Sequence, residues 1–237
     1  MVLYNIFMCC KGRNKVMKVL IVAATETEAD VLRKIKGIIP YDGSFRFGKC
    51  DIKLLITGVG SVATSWSMMK WFSANSKPDI AVNIGIAGSY RNDIRVGDVV
   101  TPVSDCFADA GIETDKGFLT LSEAGMSDSI LKGGRIAADN KYVTVIIKLV
   151  RPVEAVTVNT STGSEDTIQK MLKKFNPGIE TMEGATFFYI CLREKVPFIA
   201  LRSVSNRVEP RNKKKWDIPL ALNSLSEKLK DFLLMLE

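Results

Sequence analysis

The 237-residue sequence contains no histidine, which removes imidazole acid/base chemistry, Ser/His/Asp triads and His-ligated metals from consideration. Proton transfer must therefore fall to carboxylates or to another group. Two glutamates stand out by their settings. Glu28 ends the segment Ala24-Thr25-Glu26-Thr27-Glu28, directly behind an apolar run, and Glu183 lies in Glu180-Thr181-Met182-Glu183-Gly184-Ala185, ahead of an apolar helical face. Read plainly, both mark helix starts: Thr25 and Glu28 have capping-box spacing, and acidic residues in a first turn suit the helix dipole. Read chemically, an ionised carboxylate has only acceptor sites, so one glutamate can take both hydroxyl protons of a ribose cis-diol.

Two glycine clusters and a strand end complete the candidates. In Asn83-Ile84-Gly85-Ile86-Ala87-Gly88-Ser89, glycines at the end of a buried run let the backbone approach a flat ligand closely. Gly58-Val59-Gly60-Ser61-Val62-Ala63 fits a GxGxxA dinucleotide fingerprint, yet the acidic residue about 20 positions on is Asp79, which opens a strand instead of ending one. A tight strand-to-helix turn is the better reading, and no nicotinamide or other cofactor is expected. Ser205-Asn206 closes a further apolar run, where turn chemistry is the default role.

The elements that must position these residues alternate. Apolar strand-like runs cover residues 18–24, 52–57, 79–85, 98–107, 155–159 and 198–205. Helical patterns follow Thr25 and cover about 61–73, 165–175, 180–194 and 216–236, while 111–153 is the least regular stretch. This predicts one α/β domain over residues 17–237, a central mixed sheet flanked by helices, with a ligand crevice beyond the strand ends. Residues 1–16 read as an N-terminal extension outside the fold, without the regions of a signal peptide.

Composition narrows the class further. An apolar fraction of 46% with 25% charged residues is ordinary for a globular chain. The net charge of +7 is scattered, its densest run being residues 211–215, so nucleic acid is not an expected partner. Five cysteines without a CxxC pair fit reduced thiols in the cytoplasm, and no metal site is indicated. No window is long and apolar enough for a membrane helix.

Taken together, the order and spacing of these motifs resemble the nucleoside phosphorylase and nucleosidase superfamily from about Met17 to the C-terminus. Within it they resemble the nucleosidases that cleave methylthioadenosine and S-adenosylhomocysteine. The resemblance implies a nucleoside phosphorylase-like fold, a water-activating glutamate at Glu28 and a ribose-binding pair at Met182 and Glu183. It also implies a ligand edge at Ile86, Ala87 and Gly88. The chain departs where adenine-specific members have Ser-Asp, for it has Ser205-Asn206. An amide cannot hand a proton to purine N7, but its NH2 donates and its carbonyl accepts, which suits a 6-oxopurine's N7/O6 edge.

That departure, with the segments Asp105 to Phe118 and Ser205 to Trp216, looks most like the futalosine hydrolase family. Such members release hypoxanthine from futalosine in menaquinone biosynthesis. The benzoate of that substrate implies an arginine near the site, with Arg207 and Arg211 as candidates, and Phe107 or Phe118 as an aromatic that stacks on the ligand. Water is expected as the nucleophile, because Glu26 and Glu28 would repel phosphate and Ile86 stands where phosphorylases place a serine. Resemblance also implies a homodimer in which the neighbour's residues 111–118 close the pocket. The alternatives are a methylthioadenosine-type nucleosidase, a purine nucleoside phosphorylase, or a non-catalytic nucleoside-binding protein on the same fold.

Overall fold

The computed structural model describes residues 16–126, 128–210 and 212–236. In chain order the elements are β1 (Met17–Ala23), α1 (Glu26–Arg33), β2 (Ile39–Tyr41), β3 (Ser44–Phe47), β4 (Cys50–Ile56), α2 (Ser61–Ala74), β5 (Ile80–Ser89) and β6 (Val99–Asp105). There follow β7 (Gly111–Thr114), β8 (Gly117–Thr120), β9 (Ile136–Ala137), α3 (Val143–Ile146), β10 (Arg151–Thr157), α4 (Glu165–Phe175), β11 (Ile179–Thr181), α5 (Gly184–Arg193), β12 (Phe198–Arg207) and α6 (Ile218–Leu234).

The main mixed sheet runs β11-β10-β6-β12-β5-β1-β4-β3-β2, with β9 beside β6, and β7 and β8 form a separate two-stranded antiparallel sheet. Strands β4, β1, β5 and β12 are parallel neighbours. Strand β11 pairs in parallel with β10 and also antiparallel with β5, so β5, β12, β6, β10 and β11 close into a ring at one end. The alternation of β1 shows how the layers form. Val19 and Ile21 pack with Leu32 of α1 and with Leu225, Leu229 and Phe232 of α6. Leu20 and Val22 face the other way, onto Met68 of α2 and Phe187 and Phe188 of α5. Among the described residues no helix is long and apolar enough to cross a membrane.

Three predicted boundaries are corrected, each at the site. Strand β5 does not stop at Gly85 but continues to Ser89, because β12 accompanies it to Arg207 and β11 bonds its far edge. The helix predicted from residue 180 begins at Gly184, since Ile179–Thr181 is consumed by pairing with β10 and β5. Ser205 and Asn206 lie inside β12, at a bulge between Val204 and Asn206, not in a turn beyond it.

Candidate active site

A cleft of about 360 Å³ opens beyond the carboxyl ends of the parallel strands β1, β4, β5 and β12. Its walls include Thr25, Glu28, Val59, Ile86, Ala87, Gly88, Ser161, Thr162, Glu180, Met182, Glu183, Ser205, Asn206, Val208 and Trp216. The crossover of open α/β sheets leaves a crevice there by geometry. Most of the residues singled out by sequence thus meet in one place, although they lie up to 178 positions apart.

Glu28 is fixed on both carboxylate oxygens. Oε2 accepts the Thr25 N–H at 3.1 Å and the Thr25 hydroxyl at 3.0 Å, which with the returning Glu28 N–H makes the capping box of α1. Oε1 accepts the Ile86 N–H at 3.0 Å, binding α1 to β5. The capping box therefore orients a carboxylate that also lines the cleft. Gly85 makes this approach possible. A Cβ there would stand 2.7 Å from Glu28 Oε1 and 2.1 Å from Arg202 Nη1.

Glu183 occupies the N-cap position of α5 without its side chain capping the helix. The first amides of α5 are met by neighbouring strands instead. Gly184 N–H donates to Thr181 Oγ1 at 3.2 Å, and Ala185 N–H donates to Thr157 Oγ1 at 2.7 Å. The freed carboxylate accepts the Gly60 N–H at 2.9 Å, from the turn where Gly58 and Gly60 both adopt positive φ. Burial pushes the Glu183 carboxyl above the ordinary glutamate range, against the charge of Arg202 and the Gly60 N–H, which pull it down.

Asn206 is 9% exposed. Its Oδ1 accepts the Ser205 hydroxyl at 2.8 Å, and its Nδ2 donates to the Arg207 carbonyl at 2.8 Å, leaving one amide hydrogen uncommitted. The slot beside it has Gly88 as its floor, where a Cβ would come within 3.3 Å of Asn206 Nδ2 and 2.9 Å of Val208 Cγ2.

Two buried charged groups escaped the sequence reading. Arg202 is 1% exposed beneath the cleft, its Nη2 donating to Asn83 Oδ1, while Asn83 Nδ2 donates to the Val22 carbonyl at 3.0 Å. It places a fixed positive charge under the two glutamates. The available signal was a charged residue within an otherwise apolar strand run. Asp105 is fully buried and accepts from Cys106 N–H at 2.8 Å and the Thr157 hydroxyl at 3.1 Å. Its Oδ2 has no hydrogen-bond partner among the described residues, and burial pushes its pKa up to about 7. Nothing local in Val103-Ser104-Asp105 distinguished it from a strand-end aspartate.

Other candidates lie apart from the cleft. Arg207 turns its guanidinium to the Arg91 carbonyl, Phe107 packs against the core cluster around Phe187, and Phe118 lies under Lys174. Arg211 falls outside the described residues. Glu26 is exposed and paired with Arg33, so of the two N-terminal glutamates only Glu28 faces the cleft.

Comparison with known proteins agrees with this architecture. A 5'-methylthioadenosine/S-adenosylhomocysteine nucleosidase of Buchnera aphidicola subsp. Schizaphis graminum is 28% identical over 212 residues, covering 80% of this chain and 84% of that one. A futalosine hydrolase of Streptomyces coelicolor is 30% identical over 181 residues, covering 73% and 75%. Among solved structures, an S-adenosylhomocysteine nucleosidase from Streptococcus pyogenes shares the fold with a TM-score of 0.77 at 20% identity, covering 95% of this chain and all of that one. The model of the Phosphorylase superfamily matches residues 18–236, and the chain belongs to that family.

Proposed function

We propose that this chain hydrolyses the N-glycosidic bond of a 6-oxopurine nucleoside, with futalosine as substrate and hypoxanthine and dehypoxanthine futalosine as products, in menaquinone biosynthesis. The observation that carries the reading is the convergence of Glu28, Glu183 and Asn206 on one cleft. Glu28, oriented by Thr25 and Ile86, takes a proton from a water that attacks C1′ as the C1′–N9 bond breaks. Glu183 accepts the ribose hydroxyls, and its burial strengthens those bonds. The electron pair of the broken bond passes into the base, where the uncommitted hydrogen of Asn206 Nδ2 meets the charge growing at N7 and O6. Met182, Ile86, Ala87 and Gly88 supply the apolar floor, with Ser205 holding the amide.

Hydrolysis is favoured over phosphorolysis because Glu28 occupies the nucleophile's approach, where an anion would meet like charge. The similarity to methylthioadenosine-type nucleosidases supports a second reading, in which adenine is the leaving group. Purified protein given futalosine, inosine and methylthioadenosine side by side separates the two. Hypoxanthine release from futalosine with methylthioadenosine inert is the expected result, and the reverse preference would contradict it.

A homodimer forms part of the same proposal. Val59, a cleft residue, is 54% exposed, and Val62, Trp66 and Met69 continue an exposed apolar face along α2. A second copy is the occupant proposed for that face, with residues 111–118 closing the neighbour's cleft. Light scattering on the purified chain tests it, a monomer at micromolar concentration being the contrary outcome.

A further inference from the structure

Asp105 is fully buried at the end of β6, and the chemistry above makes no use of it. Its Oδ1 accepts two bonds, from the Cys106 N–H at 2.8 Å and from the Thr157 hydroxyl at 3.1 Å. Thr157 Oγ1 also stands 3.3 Å from Thr181 Oγ1, a pair in which either hydroxyl could donate. Asp105 decides between them. Because the one hydroxyl hydrogen of Thr157 goes to the carboxyl, Thr181 has to be the donor to Thr157.

A definite proton order follows: Thr181 O–H to Thr157 Oγ1, then Thr157 O–H to Asp105 Oδ1. Each threonine oxygen then turns a lone pair to the first turn of α5, Thr181 to the Gly184 N–H at 3.2 Å and Thr157 to the Ala185 N–H at 2.7 Å. The order holds in both ionisation states of Asp105, since Oδ1 accepts whether or not Oδ2 carries the proton. A helix start ordinarily takes such acceptors from its N-cap side chain. Here the N-cap residue is Glu183, whose carboxylate reaches the Gly60 N–H and the cleft instead. Asp105 packs directly behind it: a Cβ on Gly184 would stand 2.2 Å from Asp105 Oδ2.

We infer that Asp105 is a positioning residue for nucleoside binding: it sets the direction of the Thr157 and Thr181 hydroxyls, and through them frees Glu183 from capping α5 to take the ribose hydroxyls. This assignment rests on the role given to Glu183 above and is independent of the identity of the base. Without an acceptor at position 105, a buried hydroxyl hydrogen is left over on Thr157 or Thr181, beside the first turn of α5. Glu183, as the N-cap residue, can serve that helix start only by leaving the cleft.

The test is steady-state kinetics of Asp105→Leu, Asp105→Asn, Thr157→Val and the double variant Asp105→Leu/Thr157→Val. The substrate is whichever of futalosine, inosine and methylthioadenosine the wild type turns over. Asp105→Leu removes the acceptor while filling its space, and KM is expected to rise about tenfold with kcat within about threefold, the pattern of lost binding. Asp105→Asn, whose amide oxygen still accepts from Thr157 and Cys106, should keep KM within about threefold of wild type. The double variant should be no worse than Thr157→Val alone, because Asp105 acts through that hydroxyl. Unchanged KM in a folded Asp105→Leu overturns the assignment, as do fully additive KM effects in the double variant. If the leucine variant does not fold, Asp105→Asn still decides: a KM raised as far as that of Thr157→Val overturns the assignment. A wild type that turns over none of the three nucleosides is a different result: it removes the role of Glu183, and this assignment falls with it.

Discussion

Thr157 Oγ1 accepts the Ala185 N–H at 2.7 Å, and this bond from β10 to α5 is what leaves Glu183 unemployed as a helix cap and available to the cleft. The same hydroxyl donates to Asp105 Oδ1, tying the helix start to a carboxyl that water does not reach. Thr157→Val keeps the side-chain shape but leaves the Ala185 N–H unpaired and removes one of the two hydrogen bonds to Asp105 Oδ1, which keeps the Cys106 N–H. A loss of about 1–3 kcal/mol in urea unfolding is expected. Because Glu183 is free to turn back and cap α5, KM for the nucleoside should rise as well. Unchanged stability and KM would show that the α5 start is satisfied by other means.

Asp105 should shape the pH dependence of stability. Burial pushes its pKa up to about 7, well above the ordinary aspartate range, so between about pH 4 and pH 7 the folded state holds a proton that the unfolded chain has lost. Its contribution to stability therefore falls as pH rises from about 4 to about 7 and then levels off. Asp105→Asn preserves an acceptor for Thr157 and Cys106 and removes the titration. The variant should gain stability relative to wild type between pH 5 and pH 7.5 in unfolding experiments at the two values. A wild-type-minus-variant difference that does not vary with pH would rule this out.

Gly85→Ala should cost activity out of proportion to its size. The added methyl would meet Arg202 Nη1 and Glu28 Oε1 in a region without slack, displacing the carboxylate from the Ile86 N–H. A fall in kcat of at least about tenfold is expected, the effect of misplacing a reacting group by a fraction of an ångström. Steady-state kinetics on a variant shown to be folded by circular dichroism provide the check. Wild-type kcat would mean that Glu28 tolerates displacement.

Asn206→Asp should move base preference towards adenine. A carboxylate at this position loses the donor that meets N7 and O6, and gains the ability, once protonated, to act as an acid at N7. The ratio of kcat/KM for futalosine over methylthioadenosine should drop by about tenfold or more, one good hydrogen bond exchanged for a mismatch. An unaltered ratio would detach Asn206 from base recognition.

The parts of this molecule that could be read from sequence are those whose signal is local. The apolar run before Thr25 placed β1 within a residue of its observed bounds, the capping-box spacing placed the start of α1, and the 165–175 helix matches α4. Short pairings without periodicity, such as Ile179–Thr181, carry no such signal, so Glu180 looked like a first-turn helix residue when it is a strand residue in the cleft wall. Glu28, Glu183 and Asn206 were legible because motif order carried them. Arg202 and Asp105 were not, since their importance comes from pairing across 119 and 52 positions. Conversely Phe107 and Arg207 have suitable chemistry, but Phe107 packs against the core cluster around Phe187 and Arg207 donates to the Arg91 carbonyl.

The most direct single measurement follows hypoxanthine release from futalosine in phosphate-free buffer by wild type and Glu28→Gln together. Wild type should turn over without phosphate, and Glu28→Gln should lose at least about a hundredfold in rate while still binding hypoxanthine. Turnover that requires phosphate, or a Glu28→Gln variant as fast as wild type, would contradict a hydrolase in which Glu28 activates water.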